Sequence, residues 1–313
     1  MSRSSGSQFL ATLSSGLAGR YEIERELGTG GMAVVYLARD LEHDRRIALK
    51  VLRSELGITM GAERFQREIR LAAALVHPHI LPLLESGETA GLLWYSMPYI
   101  EGESLRARLD REKLLPVDEA VRLTSEVADA LACAHAQGIL HRDIKPENIL
   151  LAGDHALVAD FGVARAIRVG ARDRITGTGF AVGTPAYMSP EQASGEADLD
   201  ARSDLYSLAC VTYEMLAGHP PFTGRTPQIV MARRLSQAVP PITSTRPQVP
   251  ETIDAALRKA LAAEPADRFR TTAEFARALS GEPLRVARPA WRGLLVALGI
   301  GLLVAGALWL STR

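Results

Sequence analysis

Hydrophobic residues in the first part of the chain fall into short runs of the kind that form β-strands. These runs cover residues 21–27, 33–38, 47–52, 81–84 and 92–97. Between them, residues 62–75 place Phe65, Ile69 and Ala72 at helical spacing instead. The pattern predicts an antiparallel sheet of five strands with one helix, occupying residues 21–99.

Longer amphipathic stretches follow beyond Gly102, separated by loops rich in glycine and proline. They cover residues 117–137, 203–217, 253–263 and 273–279. We therefore predict a mainly helical second lobe over residues 100–281, which makes the whole an α+β domain with two lobes. Residues 1–20 are rich in serine and glycine, and we expect them to form a flexible N-terminal segment.

The sharpest change of pattern comes at residues 293–310, a run of eighteen residues without a charge. As a helix it would be about 27 Å long, close to the roughly 30 Å hydrocarbon core of a bilayer. Trp291 and Trp309 lie near its ends, where tryptophan favours the membrane interface. A buried core helix is the alternative, but three glycines would weaken it: Gly299, Gly301 and Gly306. We predict a juxtamembrane linker over residues 282–290 and one transmembrane helix over residues 291–310.

Charges and small residues predict how this helix is placed. Three arginines precede it and one follows it, at Arg285, Arg288, Arg292 and Arg313. Because positive flanks stay on the cytoplasmic side, we expect a single-pass protein of the cell membrane whose two lobes are cytoplasmic. Small residues recur at every fourth position, at Gly293, Ala297, Gly301 and Ala305. Such a face could let a second helix pack closely in a homodimer, although small residues are common in membrane helices in any case.

Composition narrows the function classes. The chain has 313 residues, of which 47% are hydrophobic, and 36 basic residues balance 36 acidic ones. With a net charge of zero there is no overall field to gather nucleic acid, so we expect no nucleic-acid partner. The two cysteines, Cys133 and Cys210, lie in apolar helical patterns and predict buried reduced thiols. The first residues lack the apolar core of a secretory signal, which agrees with a cytoplasmic N-terminal side.

A glycine-rich segment between the first two predicted strands is the first candidate for chemistry. Its residues Gly28, Thr29, Gly30 and Gly31 allow the backbone to fold closely over phosphate oxygens. A dinucleotide-binding fold would require a helix directly afterwards, but residues 33–38 are typical of a strand. The dinucleotide interpretation is therefore disfavoured.

Lys50 ends an apolar strand, seventeen residues after Ala33, and Glu68 lies on the helix that follows. A solvated surface lysine is the ordinary alternative. An ion pair between Lys50 and Glu68 would instead hold the ammonium group where it meets the α- and β-phosphates of a nucleotide.

The decisive motif is His-Arg-Asp-Ile-Lys-Pro-Glu-Asn at residues 141–148, with Asp-Phe-Gly at residues 160–162. Phosphoryl transfer requires a carboxylate that positions the attacking hydroxyl, hard oxygen ligands for Mg²⁺, and cations that offset the charge of the transferred group. Asp143 meets the first requirement, Asn148 with Asp160 the second, and Lys145 the third. The joint spacing predicts a phosphoryl-transfer site.

With these motifs the sequence resembles the protein kinase superfamily, and most closely the bacterial eukaryotic-like serine/threonine kinases, over residues 21–281. The resemblance implies ATP as cofactor with Mg²⁺, or Mn²⁺ in its place, and proteins bearing serine or threonine as substrates. Asp143 then resembles the catalytic base, Lys145 a γ-phosphate contact, and Asn148 and Asp160 the metal ligands. Lys50 and Glu68 resemble the family's ion pair, with Lys50 contributing to catalysis.

The resemblance also implies a nucleotide pocket, because residues 94–102 match the family's fifth strand and the connection between the lobes. Met97 takes the gatekeeper position. Pro98 would offer its carbonyl to the adenine amino group, and Ile100 its N–H. Three apolar side chains would close on the adenine faces, namely Val35, Ala48 and Leu150.

Residues 183–191 resemble the substrate-binding loop and the Ala-Pro-Glu motif that ends it, with Ser189 in place of alanine. The resemblance implies a buried pair between Glu191 and Arg268, and an Asp204 that braces the catalytic loop. Ala33 replaces the third glycine of the glycine-rich loop, and its methyl group is expected to change nucleotide affinity at most.

Two threonines between the Asp-Phe-Gly motif and Glu191 are candidate phosphate acceptors, Thr176 and Thr178. Arg142, next to Asp143, is a cation with which such a phosphate could pair. We expect autophosphorylation of this loop to activate the enzyme.

Two other function classes compete with an active protein kinase. A membrane-tethered pseudokinase that acts as a scaffold would lack one of the catalytic groups, yet every one is present in the sequence. A small-molecule phosphotransferase would not need the substrate loop that contains Thr184 and Glu191. The sequence therefore favours the serine/threonine protein kinase.

Overall fold

Five antiparallel strands form the N-terminal lobe in this computed structural model, which describes residues 3–31, 33–53, 62–161, 185–196 and 198–281. The strands are β1 Tyr21–Thr29, β2 Ala33–Asp40, β3 Arg45–Leu52, β4 Glu85–Thr89 and β5 Leu92–Pro98, in the order β1-β2-β3-β5-β4. Two helices accompany them, α1 Arg3–Gly16 and α2 Ala62–Ala73. The predicted sheet and its helix are confirmed.

Strand β3 is buried on both faces. Ile47, Leu49 and Val51 join one apolar cluster, whereas Ala48 and Leu52 join the other, together with Phe65 and Ile69 of α2. Because side chains alternate along a strand, Lys50 lies on the same face as Ala48 and Leu52. The ammonium group is thereby directed to the side of the sheet that α2 covers.

The fourth strand lies later than predicted, at Glu85–Thr89 rather than at residues 81–84. Pro82 has no N–H to give to a sheet, and its neighbours bond to different elements. The Leu81 N–H donates to the Val158 carbonyl of the C-terminal lobe, and the Leu84 N–H to the Ser96 carbonyl of β5. The apolar run at 81–84 therefore marks a partly buried connection, and not a strand.

Helix α1 was not predicted, since residues 1–20 were expected to be a flexible segment. Leu13 and the nearby Leu17 are buried in the same cluster as Tyr21 and Tyr36 of the sheet. These leucines are one helical turn apart, which places both on the same face. The high content of serine and glycine concealed this short apolar face.

The C-terminal lobe is mainly helical, as predicted. Its helices are α3 Leu105–Glu112, α4 Val117–Ala136, α5 Pro190–Ala193, α6 Ala201–Ala217, α7 Pro227–Ser236, α8 Ile242–Thr245, α9 Glu251–Ala260 and α10 Thr272–Leu279. A small antiparallel sheet of β6 Glu103–Ser104, β7 Ile149–Ala152 and β8 His155–Val158 lies in the same lobe. Every residue of α6 from Ser203 to Ala217 is buried, so this helix lies inside the core of the lobe. The α+β, two-lobed architecture is confirmed.

The two cysteines differ in exposure, which gives a testable prediction. Cys210 lies in buried α6, where burial raises the pKa of its thiol to about 12, while Cys133 is partly exposed. Only a thiolate alkylates readily, so below that pKa the Cys210 side chain stays protonated and shielded. We expect iodoacetamide at pH 8 to label the native protein at Cys133 alone, and mass spectrometry of peptides checks this. Equal labelling at Cys210 before unfolding would contradict the packing of α6.

None of the helices in the described part of the chain is long and apolar enough to cross a membrane. The linker over residues 282–290, the helix over residues 291–310 and its face of small residues all lie outside the described residues. Their prediction therefore rests on the sequence.

Candidate active site

The loop at residues 141–148 gathers two polar side chains around the Asp143 carboxylate. The Lys145 ammonium donates to Asp143 Oδ2 at 2.7 Å. The Asn148 side-chain amide donates to the Asp143 carbonyl at 2.8 Å and to Oδ2 at 3.2 Å. Asp143 is partly exposed, so its Oδ1 remains the oxygen that can accept a proton from a substrate hydroxyl. The geometry suits a base held beside a cation.

Asp204, near the start of α6, holds the loop at residues 141–148 in place. Its two carboxylate oxygens accept from the backbone N–H groups of His141 at 2.8 Å and Arg142 at 2.7 Å. The His135 ring bonds to the same carboxylate at 2.8 Å. Arg142 has a φ of 68°, a left-handed conformation that non-glycine residues adopt only when their surroundings enforce it. The expected bracing role of Asp204 is confirmed.

Asn148 and Asp160 are brought together by the ladder that links their segments. The Ala159 N–H donates to the Asn148 carbonyl at 2.9 Å, and Ala159 immediately precedes Asp160. The buried His141 ring bonds to the Ala159 carbonyl at 2.8 Å and packs edge-on against Phe161 at 4.7 Å. Asp160 itself has a left-handed φ of 69°. The two predicted metal ligands, Asn148 and Asp160, therefore lie on neighbouring backbone segments. The bonds from Asn148 and His141 to Ala159 hold these segments together.

Both oxygens of the Asp160 carboxylate are engaged. Oδ2 accepts from the Lys50 ammonium, and Oδ1 accepts from the Tyr95 hydroxyl at 2.6 Å. Burial alone would raise the pKa of Asp160, but the Lys50 charge and the two hydrogen bonds outweigh it and hold the pKa below its ordinary value. The carboxyl is therefore ionised at neutral pH, as a ligand for a divalent cation must be.

Of the ion pairs between described residues, the one that Lys50 forms is with Asp160 and not with Glu68, the predicted partner. The sheet pairs Lys50 in register with Tyr95, whose hydroxyl contacts Asp160, so Asp160 is the anion within reach of the ammonium. Glu68 is buried on α2 and lines a cavity whose other residues include Leu71, Gln137 and Arg142. The sequence placed Glu68 on the correct helix, but strand register selected a different partner for Lys50.

The predicted adenine-facing residues come together in one apolar cluster. Ala48 and Met97 pair across β3 and β5, and the partly buried Val35, Ile100 and Leu150 pack against the same cluster. Pro98 is the last residue of β5, opposite Ile47, so its missing N–H interrupts nothing beyond the sheet's end. Apolar side chains gathered in this way are the kind that a flat base packs against.

The glycine-rich segment forms the hairpin between β1 and β2. Gly28 pairs with Val35 and Thr29 with Val34, and the Gly30 N–H donates to the Ala33 carbonyl at 2.9 Å. Open space surrounds the Cβ positions of Gly28 and Gly31, so the backbone there is accessible to a ligand. A strand follows rather than a helix, which agrees with the rejection of the dinucleotide fold.

These groups fit a nucleotide with its metal ion. Because the Asn148 amide nitrogen bonds to Asp143, its side-chain oxygen is the atom left for a cation, beside the ionised Asp160. Both are hard oxygen donors of the kind that Mg²⁺ and Mn²⁺ take. Lys50 supplies the cation for phosphate oxygens, and the glycine hairpin supplies exposed backbone.

Comparison with known proteins decides the family. A model of the protein kinase domain family matches residues 21–278. The chain belongs to the protein kinase family. Its relatives include the serine/threonine-protein kinase PknB of Mycobacterium tuberculosis strain H37Rv, 42% identical over 282 residues, which are 87% of this chain and 45% of that protein.

Two further relatives give the same family. PknB of Mycobacterium leprae is 40% identical over 298 residues, covering 91% of this chain and 47% of that protein. The serine/threonine-protein kinase PknF of M. tuberculosis strain H37Rv is 38% identical over 298 residues, covering 88% of this chain and 62% of that protein. The chain thus spans about half the length of the PknB relatives that it matches.

The buried pair between Glu191 and Arg268 is confirmed in the kinase. The guanidinium donates to both carboxylate oxygens at 2.8 Å, and Ser203 donates to Glu191 at 2.6 Å. Ser189, where the family pattern has alanine, caps helix α5: its hydroxyl accepts from the Gln192 N–H, while the Gln192 side chain accepts from the Ser189 N–H. This substitution therefore adds a capping box to the end of the substrate loop.

The described end of the substrate loop, the 3-10 turn Pro185–Tyr187, is fixed by groups that the sequence did not predict. The Tyr187 hydroxyl donates to Glu214 of α6 at 2.6 Å. Arg234 of α7, which is buried, donates to the carbonyls of Pro185 at 2.5 Å and Ala186 at 2.9 Å. These partners are far apart in the chain, so no local pattern could have identified them.

Thr176 and Thr178, the predicted phosphate acceptors, lie outside the described residues, as does Thr184. Arg142 lies on the described catalytic loop, where its carbonyl accepts from the Gln192 amide at 3.0 Å. The substrate loop and the catalytic loop are thereby linked at this arginine.

Proposed function

We propose that this chain is an ATP-dependent serine/threonine protein kinase, which transfers the γ-phosphate of ATP to serine or threonine hydroxyls of proteins. The observation that carries the proposal is the arrangement around Asp143. Lys145 lies 2.7 Å from its carboxylate, and Asn148 is tied to it by two hydrogen bonds and to the Asp160 segment by the backbone. Hydrogen bonds therefore link the proposed base Asp143 to the cation Lys145 and to the proposed metal ligand Asn148. The backbone of Asn148 in turn bonds to the segment of Asp160.

In the proposed reaction Asp143 accepts the proton of the substrate hydroxyl on Oδ1. The hydroxyl oxygen forms its bond to the γ-phosphorus as the bond to the oxygen of the leaving ADP breaks, so that phosphoprotein and ADP are the products. Lys145 offsets charge on the transferred group, and Lys50 can offset charge on the phosphates that stay behind. Positioning and electrostatics supply the catalysis, because no covalent intermediate with the protein is required.

The choice of serine and threonine over tyrosine rests on Lys145, two residues after Asp143, and on the relatives, which are named serine/threonine-protein kinases. The test incubates the purified chain with labelled ATP, Mg²⁺ and a general protein substrate, followed by phosphoamino-acid analysis. Phosphoserine and phosphothreonine are expected. Label on tyrosine alone would overturn the specificity, and no incorporation at all would favour the scaffold.

Autophosphorylation of Thr176 or Thr178 is proposed as the activating step, because Arg142 beside the base is a cation with which a new phosphate could pair. We expect the double variant Thr176→Ala/Thr178→Ala to lose roughly tenfold or more of its activity on an added substrate, the scale of one or two charge-assisted hydrogen bonds. Peptide phosphorylation rates after preincubation with ATP measure this.

The control for that prediction is Thr252→Ala, which changes a threonine on helix α9. It should retain the rate of the unchanged protein. Full activity of the double variant would show that phosphorylation of these threonines is not the switch.

Attachment to the cell membrane through residues 291–310, with the kinase domain in the cytoplasm, is proposed from the apolar run and the arginines before it. Dimerisation through the small-residue face is proposed with it. Fractionation of cells that express the full chain, or residues 1–281 alone, tests the first proposal, since only the full chain should sediment with membranes. Crosslinking of the full chain in membranes tests the second, and a purely monomeric product would remove it.

A further inference from the structure

Tyr95 places a polar group in an otherwise apolar part of the N-terminal lobe. The side chain is fully buried on β5, and its ring packs against Phe65 of α2 with centroids 6.3 Å apart. Phenylalanine would fill this space equally well without a hydroxyl to desolvate. Because a buried hydroxyl needs a hydrogen-bond partner, the partner of the Tyr95 hydroxyl indicates what this tyrosine does.

That partner is the Asp160 carboxylate. The Tyr95 hydroxyl donates to Oδ1 at 2.6 Å, while Lys50 donates to Oδ2. Lys50 and Tyr95 face each other across β3 and β5, so the two donors come from adjacent positions of one rigid sheet. Asp160 is thus held on both oxygens by the N-terminal lobe, although its backbone belongs to the segment that follows β8.

The two donors differ in chemistry. Lys50 brings a charge, which phosphate oxygens also attract, whereas the Tyr95 hydroxyl is neutral and donates a single proton along a fixed direction. Each carboxylate oxygen has a second lone pair, so the hydroxyl bond orients Asp160 without occupying all of its capacity for a cation. Groups that orient a metal ligand in this way change metal affinity by about 10- to 100-fold when they are removed.

We propose that Tyr95 is a positioning residue for Asp160, which fixes the orientation of this carboxylate toward the divalent cation of the nucleotide. The inference rests on the proposed function, because it assigns the cation to Asp160. Tyr95 itself touches neither the substrate nor the phosphates in this role. It acts through Asp160 alone, and that restriction makes the inference testable.

The test uses Tyr95→Phe in the full chain and measures binding of Mn²⁺ by electron paramagnetic resonance, with a non-hydrolysable ATP analogue present. We expect the dissociation constant for Mn²⁺ to rise about tenfold or more. Binding of the analogue without metal should stay unchanged, because the predicted adenine-facing residues Val35, Ala48 and Leu150 are not altered. Tyr21→Phe is the matched control, since it removes another tyrosine hydroxyl of the same sheet, one that donates to Glu85.

A variant that lacks the Asp160 carboxylate distinguishes a role of Tyr95 in positioning that carboxylate from a role in packing. In Asp160→Asn, which weakens metal binding by itself, Tyr95→Phe should cause no further rise in the dissociation constant. A further rise of the same size would show that Tyr95 acts through packing, and would overturn the inference. Unchanged or tighter Mn²⁺ binding by Tyr95→Phe in the natural background would overturn it as well.

The result for the unchanged protein keeps the two proposals distinct. If the natural chain bound no Mn²⁺ with the analogue, the proposed kinase function would fail. If it bound the ion and Tyr95→Phe bound it equally, only the role of Tyr95 would fail. Should Tyr95→Phe not fold, as circular dichroism would show, Tyr95→Met fills the site with a flexible apolar chain and must show the same loss.

Discussion

Replacing Asp143 with asparagine should slow phosphoryl transfer by orders of magnitude while leaving nucleotide binding unchanged. The amide keeps the volume of the carboxylate and can still accept from Lys145, so the loop should hold its shape. What is lost is the basic oxygen that takes the hydroxyl proton, a contribution of roughly 10²- to 10⁴-fold in rate. Steady-state kinetics with a protein substrate, and calorimetry with a non-hydrolysable nucleotide, measure the two effects separately.

Asp154→Asn is the matched control for that experiment. Asp154 lies in the exposed turn between β7 and β8, so the same chemical change is made a short distance along the chain, away from the reacting groups. The control should retain the natural turnover number. If Asp143→Asn also retained the natural turnover number, Asp143 would not be the catalytic base. The main support for the proposed kinase activity would then be lost.

Much of the catalytic loop could be predicted because its chemistry is local. Asp143, Lys145 and Asn148 lie within six residues of one another, and the observed hydrogen bonds among them need only that loop and the short turn Pro146–Asn148. The pair of Glu191 and Arg268 is separated by 77 positions, yet it was also predicted, because it was carried over from the family resemblance.

The partner of Lys50 could not be predicted in the same way. It depends on the register between β3 and β5, which puts Lys50 opposite Tyr95 and so within reach of Asp160. A shift of one residue in that register would turn Tyr95 to the other face of the sheet, and no local pattern specifies the register. Tyr95 in an apolar strand therefore looked like any core aromatic residue.

Two elements of the fold were not predicted correctly, for related reasons. The apolar run at residues 81–84 has strand-like composition. Pro82 has no N–H for a sheet, however, and its neighbours bond to both lobes, so the run forms a partly buried connection instead. Near the C-terminal end of helix α1, Leu13 and Leu17 are buried. In both cases the sequence showed which residues were apolar, whereas the tertiary packing determined the conformation that buried them.

Arg268→Met should destabilise the domain more than any surface change. The guanidinium is buried, and besides Glu191 it donates to the carbonyls of Ala262 and Ala263 at 2.8 Å and of Arg202 at 3.0 Å. Methionine fills part of the space but leaves the buried carboxylate without its charged partner, while Ser203 still donates to it. Breaking a buried pair in this way typically removes about 3–5 kcal/mol of unfolding free energy. Urea denaturation followed by circular dichroism measures it.

Arg39→Met is the control for that loss, because Arg39 and its partner Asp44 are both exposed to solvent. Exposed pairs contribute little, so the midpoint of unfolding should hardly move. A loss in Arg268→Met no larger than in Arg39→Met would mean that the Glu191 carboxylate is not confined as the structure places it.

The pH dependence of the same variant identifies the buried carboxylate as the cause. Burial by itself raises the pKa of Glu191, but in the natural protein the Arg268 pair and the Ser203 hydrogen bond outweigh it and hold the pKa below its ordinary value. The stability that this pair contributes is therefore present above the unfolded pKa and is lost as the pH falls through the folded one. Without Arg268, burial dominates, and Glu191 can take up a proton at a higher pH than in the unfolded chain. The difference in unfolding free energy between the two proteins should accordingly shrink as the solution is acidified toward the ordinary glutamate range, whereas a deficit due to lost packing alone would stay constant.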